Sequence, residues 1–96
     1  MSSLKIVATL TAKASHAQAL DTAIRTLADA SRKEPGCLSY LICKDIANPL
    51  KTVIIEEWKD QAAIDTHNAS LHFAAFGQSI SGMTDSLEIT VLKTVY

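Results

Sequence analysis

The sequence predicts an α+β domain of order β-α-β-β-α-β, a split antiparallel sheet with helices on one face. Three observations predict it. Runs that alternate apolar and polar residues open and close the chain, at 4–11 and 86–95. One long stretch between them, from Ala17 to Ala28, carries its apolar residues at helical spacing. Two further strand-like runs, 37–44 and 52–58, are separated by a short loop and so read as a hairpin.

Each element has its own justification. In the first strand Leu4, Ile6, Ala8 and Leu10 share one side, and Lys5, Val7, Thr9 and Thr11 the other. Its apolar run resembles a short leader, but Thr9 and Thr11 interrupt it and the alternation favours a strand. Ser15 to Gln18 has capping-box spacing. Behind it Ala17, Leu20, Ile24, Leu27 and Ala28 form the apolar stripe of a helix of about five turns. Pro35-Gly36 ends that helix, and Asn48-Pro49 marks the loop between the two middle strands. Asp60 caps a short helix running to about Asn68, and Ser70 caps another running to about Ile80. The second helix is therefore broken in two. The whole architecture, residues 1–96, is one ferredoxin-like domain.

Hydrophobic residues make up 48% of the chain against 20% charged, and the mean hydropathy is +0.16. For so small a domain this implies an apolar surface covered by a second copy. The middle strands agree, being apolar on both parities at Leu38 and Leu41 and through Val53, Ile54 and Ile55. Helices can cover one face of that hairpin, and a second subunit's sheet the other. A net charge of -1 and the lack of a basic run argue against nucleic-acid and anionic-membrane partners. No apolar run reaches membrane-spanning length. Cys37 and Cys43 lie in one predicted strand, roughly 20 Å apart at strand rise. That excludes a bridge between them, places both on one sheet face, and fits a reducing cytoplasm.

An unbulged hairpin pairing Lys44 with Thr52 puts Ile42 opposite Ile54, Tyr40 opposite Glu56, and Leu38 opposite Trp58. Tyr40, Glu56 and Trp58 then share a face. Tyr and Trp there can be core residues whose polar tips find partners. Glu56 is more informative, because a carboxylate among apolar neighbours is costly unless paired. In the short helix Ala63, Ile64, His67 and Leu71 fall on one stripe, which turns His67 inward. Such a histidine either fills space on a carbonyl or, as a neutral imidazole, serves as a general base. His72 sits in the first turn after Ser70, at the edge of the Phe73, Phe76 and Ile80 stripe, and His16 is solvated. His67 and His72 are five residues apart across a helix break, and no acidic residue or cysteine at ligand spacing joins them, so no metal site is expected.

Glu34-Pro-Gly-Cys-Leu-Ser-Tyr40, Glu56-Glu-Trp58-Lys-Asp60, and His67 followed by Ser70-Leu-His-Phe73 resemble the antibiotic biosynthesis monooxygenase (ABM) family. Its small quinol monooxygenase-like members are the nearest in pattern. The resemblance implies a homodimer whose sheets pack into an α/β barrel. It also implies oxidation of a small aromatic quinol or phenol by O₂ with no cofactor, His67 acting as base. Trp58, Tyr40, Phe73 and Phe76 would then wall a pocket between sheet and helices, with His72 or Glu56 orienting or relaying. Haem-degrading relatives carry an asparagine in the first strand, which reads Lys5-Ile-Val-Ala-Thr-Leu10 here, and His67 stands where they have a tryptophan. Both departures argue against haem degradation. Two alternatives remain at this stage: an isomerase in which His67 shuttles a proton, and a non-catalytic dimeric binding or stress module. Lys44 or Lys51 could serve a phosphorylated substrate of such an isomerase.

Overall fold

The computed structural model describes residues 2–96. Four strands, β1 (Leu4–Ala12), β2 (Cys37–Asp45), β3 (Asn48–Trp58) and β4 (Thr84–Lys93), form one sheet in the order β2-β3-β1-β4. All three neighbouring pairs are antiparallel. Helices α1 (Ala17–Ser31), α2 (Gln61–Asn68) and α3 (Leu71–Ser79) complete the ferredoxin-like α+β arrangement. No helix among the described residues is long and apolar enough to cross a membrane.

Period two in β1 sets the two faces. Ile6, Ala8, Leu10 and Ala12 are buried beneath the helices, and Ile54 and Trp58 of β3 lie on the same side. The α1 stripe places Leu20, Ile24, Leu27 and Ala28 on this layer. Burial of each large side chain there contributes about 1.5–3 kcal/mol. The opposite face, with Leu41, Ile55 and Leu92 among its residues, stays open to solvent in the single chain.

Several expectations are corrected. Before α1 a 3-10 turn spans Ala14–His16, and the Ser15 hydroxyl meets His16 Nδ1 at 3.1 Å instead of closing a capping box. The helix is about four turns long rather than five. β3 starts at Asn48, so Asn48-Pro49 belongs to the strand and not to a loop. β4 runs two residues earlier than its alternation suggests, leaving Val95 outside. The hairpin register holds for Lys44 with Thr52, Ile42 with Ile54 and Tyr40 with Glu56, but a bulge between Cys37 and Ser39 makes Cys37 the partner of Trp58. Leu38 is extruded and exposed. The bulge also shifts parity, so Cys37 packs against the helix-side core while Cys43, opposite Val53, takes the other face.

Both short helices are capped as expected. Asp60 accepts from the Ala63 amide at 2.9 Å, and Ser70 accepts from the Phe73 amide at 3.2 Å. Asp60→Ala is expected to cost about 1 kcal/mol in urea unfolding, the usual loss when a capping oxygen is removed.

Candidate active site

α2 carries His67 into the core, where it is 2% exposed. Two features hold α2 close. Lys59 donates its amide to the Gly36 carbonyl at 3.0 Å, which fastens the end of β3 to the segment before β2. A Cβ at Gly36 would collide with that of Ala63, so only glycine permits α2 to approach this closely. The approach brings His67 Nδ1 to 2.6 Å from Glu34 Oε2. The same carboxylate oxygen lies 2.9 Å from His72 Nε2 on α3. A carboxylate only accepts, so both imidazole nitrogens facing it carry the proton. In neutral His67 the other nitrogen, Nε2, on the far side of the ring from Glu34, is then left with a free lone pair.

Aromatic rings fix the imidazole from its remaining sides. Trp58 lies 4.5 Å away between ring centroids, Phe73 5.1 Å and Tyr40 6.3 Å. Trp58 is itself fully buried and donates its indole N–H to Glu56 Oε1 at 2.9 Å. Tyr40 is anchored through its backbone, whose carbonyl accepts two guanidinium N–H bonds from Arg32 at 2.7 and 3.0 Å.

His67 borders a cavity of about 260 Å³ between the sheet and α3. Ile6, Leu10, Ile54, Phe73, Phe76 and Ile80 supply apolar wall, and β4 contributes Leu87 and Ile89 at the mouth. The polar side chains on it are those of Tyr40, Glu56, His67 and Asn68. Burial pushes the Glu56 carboxyl up to about 7, against a lowering by the Trp58 hydrogen bond, and the Glu34 charge raises it further. Burial, then the nearby Glu56 charge, also pushes the Tyr40 phenol well above its usual range.

Five of the seven residues singled out from sequence, Tyr40, Glu56, His67, Phe73 and Phe76, therefore line one cavity. Trp58 lies behind His67 and does not border the cavity, and His72 faces Glu34 from beside it. The residue whose place in the site sequence reasoning missed is Glu34. It joins His67 and His72 into a cluster whose candidate ligand atoms all lie within 4.8 Å of one another, so an acidic residue does complete a set with the two histidines. One signal was present: Glu34 follows the C-terminal end of α1, where a negative charge is unfavourable without a partner.

The fold and this histidine-bearing cavity define a small α+β domain with an apolar-walled pocket between its sheet and helices. Residues 3–79 match the family model described as antibiotic biosynthesis monooxygenase, and the chain belongs to that family. The structure of PA3566 from Pseudomonas aeruginosa superposes with a TM-score of 0.94 at 32% identity, covering 100% of this chain and 97% of that one. A structure described as an antibiotic biosynthesis monooxygenase superposes with a TM-score of 0.85 at 32% identity, covering 97% of both chains. YcnE of Bacillus subtilis is 35% identical over 52 residues, which is 54% of this chain and 55% of YcnE. A stretch of the same length and identity matches 35% of sll1783 from Synechocystis.

Proposed function

We propose that the protein is a monooxygenase that oxidises a small aromatic quinol or phenol with O₂, the substrate itself supplying the electrons. The carrying observation is the Glu34–His67 pair: one imidazole nitrogen is held by a carboxylate, the other is free of it, and the residue borders an apolar cavity. An apolar cavity of about 150 Å³ accommodates benzene. One of about 260 Å³ has space for a larger ring system and O₂ beside it.

The roles follow from chemistry. His67 Nε2 takes the phenolic proton, which makes the ring electron-rich enough to pass one electron to triplet O₂. The two radicals combine at a ring carbon. One oxygen atom stays on the ring, and the other leaves as water with two hydrogens from the substrate. Four electrons thus pass from the ring to O₂, and no external reductant enters the balance. Glu34 fixes the tautomer of His67 and stabilises the imidazolium it becomes. Protonated Glu56 donates a hydrogen bond to the developing oxyanion. Tyr40, Phe73 and Phe76 hold the flat ring and exclude bulk water. No lysine or arginine lines the cavity among the described residues, which favours an uncharged aromatic substrate over a sugar phosphate. Lys44 is instead engaged by Thr52 Oγ1 at 2.7 Å.

Oxygen uptake with a panel of quinols and polycyclic phenols, with a His67 variant as control, tests this reading. Uptake by the wild-type protein alone supports it, and no uptake with any compound overturns it.

A homodimer belongs to the same proposal. The open sheet face carries Leu41 at 54%, Ile55 at 38% and Leu92 at 43% exposure, and a second copy's sheet would cover them. Sedimentation equilibrium is expected to return about twice the 10.3 kDa chain mass, and Ile55→Lys to return the monomer value.

A further inference from the structure

We propose that Glu34, His67 and His72 also form a site for a divalent transition ion of the Zn²⁺ class, and that the bound ion switches His67 off as a base. The second half rests on the proposed role of His67. The ligand set is two imidazole nitrogens and one carboxylate oxygen, a combination that Zn²⁺ takes with water as the fourth ligand. The three residues come from three separate segments, the turn after α1, α2 and α3, yet converge on one point. The partners are already the right atoms: His67 Nδ1, His72 Nε2 and Glu34 Oε2. Metal–ligand bonds of about 2.0–2.1 Å place tetrahedral ligand atoms about 3.3 Å apart. Glu34 Oε2 stands 2.6 and 2.9 Å from the two nitrogens, so those two pairs open by less than about 1 Å to admit the ion, while the two nitrogens, within 4.8 Å of each other, close by no more than about 1.5 Å. The way in is from His72, whose side chain is 30% exposed, against 12% for Glu34 and 3% for His67.

The position of the site gives it a consequence. Glu34 and His72 do not border the cavity that His67 borders, so the ion would sit behind the imidazole and not beside the substrate. An ion on Nδ1 takes the place of the proton now shared with Glu34. A neutral imidazole so bound carries its one N–H on Nε2, the nitrogen turned away from Glu34. That nitrogen then has no lone pair for the substrate proton. Metal binding shifts the tautomer, with no net change in the protons held, and converts the acceptor into a donor.

Titration of Zn²⁺ into the full-length protein by calorimetry is expected to show one ion per chain. His72→Ala and Glu34→Gln should each weaken binding at least tenfold. Long-range ¹H–¹⁵N spectra of the histidine rings should show the His67 proton move from Nδ1 to Nε2 as the ion binds. In the oxygen-uptake assay, saturating Zn²⁺ should suppress the wild-type rate, and the ratio of rates with and without Zn²⁺ should return toward one in His72→Ala. No binding, binding that both substitutions leave untouched, or an unchanged His67 tautomer overturns the proposal. Calorimetry and the ring spectra need no substrate. Loss of the oxygenase reading alone would therefore leave the ion and tautomer results standing, whereas binding without suppression of an active enzyme overturns the switch.

Discussion

Replacing His67 with alanine is expected to lower oxygen consumption by about 10²–10⁴-fold, the range for loss of a positioned general base. Below about pH 7 the substrate proton then has no acceptor in the cavity, because Glu56 holds its own proton there and so does the Tyr40 phenol. Alanine also leaves a void against Trp58 and removes one of the two donors to Glu34. His67→Asn separates these effects. Its amide keeps a donor near the Nδ1 position and much of the volume but accepts no proton near neutral pH, so it should match alanine in rate while unfolding closer to wild type. Glu34→Gln should cost less than the upper part of that range, about 10- to 150-fold, in line with about 1.5–3 kcal/mol for a hydrogen bond to a charged group. Oxygen-electrode rates with thermal melts of the same samples read all three. A His67→Asn protein that consumes oxygen at the wild-type rate would remove the base from the mechanism.

The site was legible where it depends on local pattern and hidden where it depends on meeting at a distance. Helical spacing alone turned His67 inward, and Asp60 and Ser70 were readable as caps because a capping oxygen acts within three residues. Hairpin parity brought Tyr40 and Glu56 onto one face. The bulge at Leu38 has no comparable sequence mark, and it misplaced Leu38 and Cys37 although the register beyond it held. Pro49 suggested a loop because proline cannot donate to a ladder. It is accommodated because the β1 pairing with β3 reaches only to Lys51 and the β2 pairing closes at Asn48. Glu34 was visible as the first residue of a family-like motif, but its pairing was not, because its partners lie 33 and 38 residues away and no periodicity connects a turn to two later helices. Trp58 was placed on the correct face, but its role as a backing for His67 depends on how α2 crosses the sheet.

Glu56→Gln is expected to stabilise the protein above pH 7 by on the order of 3 kcal/mol, and to remove most of the change in stability between pH 4.5 and 7 that wild type shows. Burial raises the carboxyl from 4.5 in the ordinary state to about 7 in the fold, so between those values the folded chain holds a proton that the unfolded chain has released. Stability from this group is fully present below about pH 4.5 and is lost as pH rises through about 7. Glutamine never ionises, and its carbonyl oxygen still accepts from the Trp58 indole, which now donates to Glu56 Oε1 at 2.9 Å. Urea unfolding of both proteins from pH 4 to 8 isolates the contribution, because every other titrating group is common to the two. Parallel stability curves would mean that Glu56 ionises in the fold much as it does in water. A carboxylate that weakens the fold at neutral pH is the kind of cost that persists where function needs the group. Because the glutamine NH₂ still donates where the Glu56 O–H did, Glu56→Gln should leave the KM for a phenolic substrate near wild type, whereas Glu56→Leu, which has no donor, should raise it if the Glu56 proton is what orients the substrate oxygen toward His67.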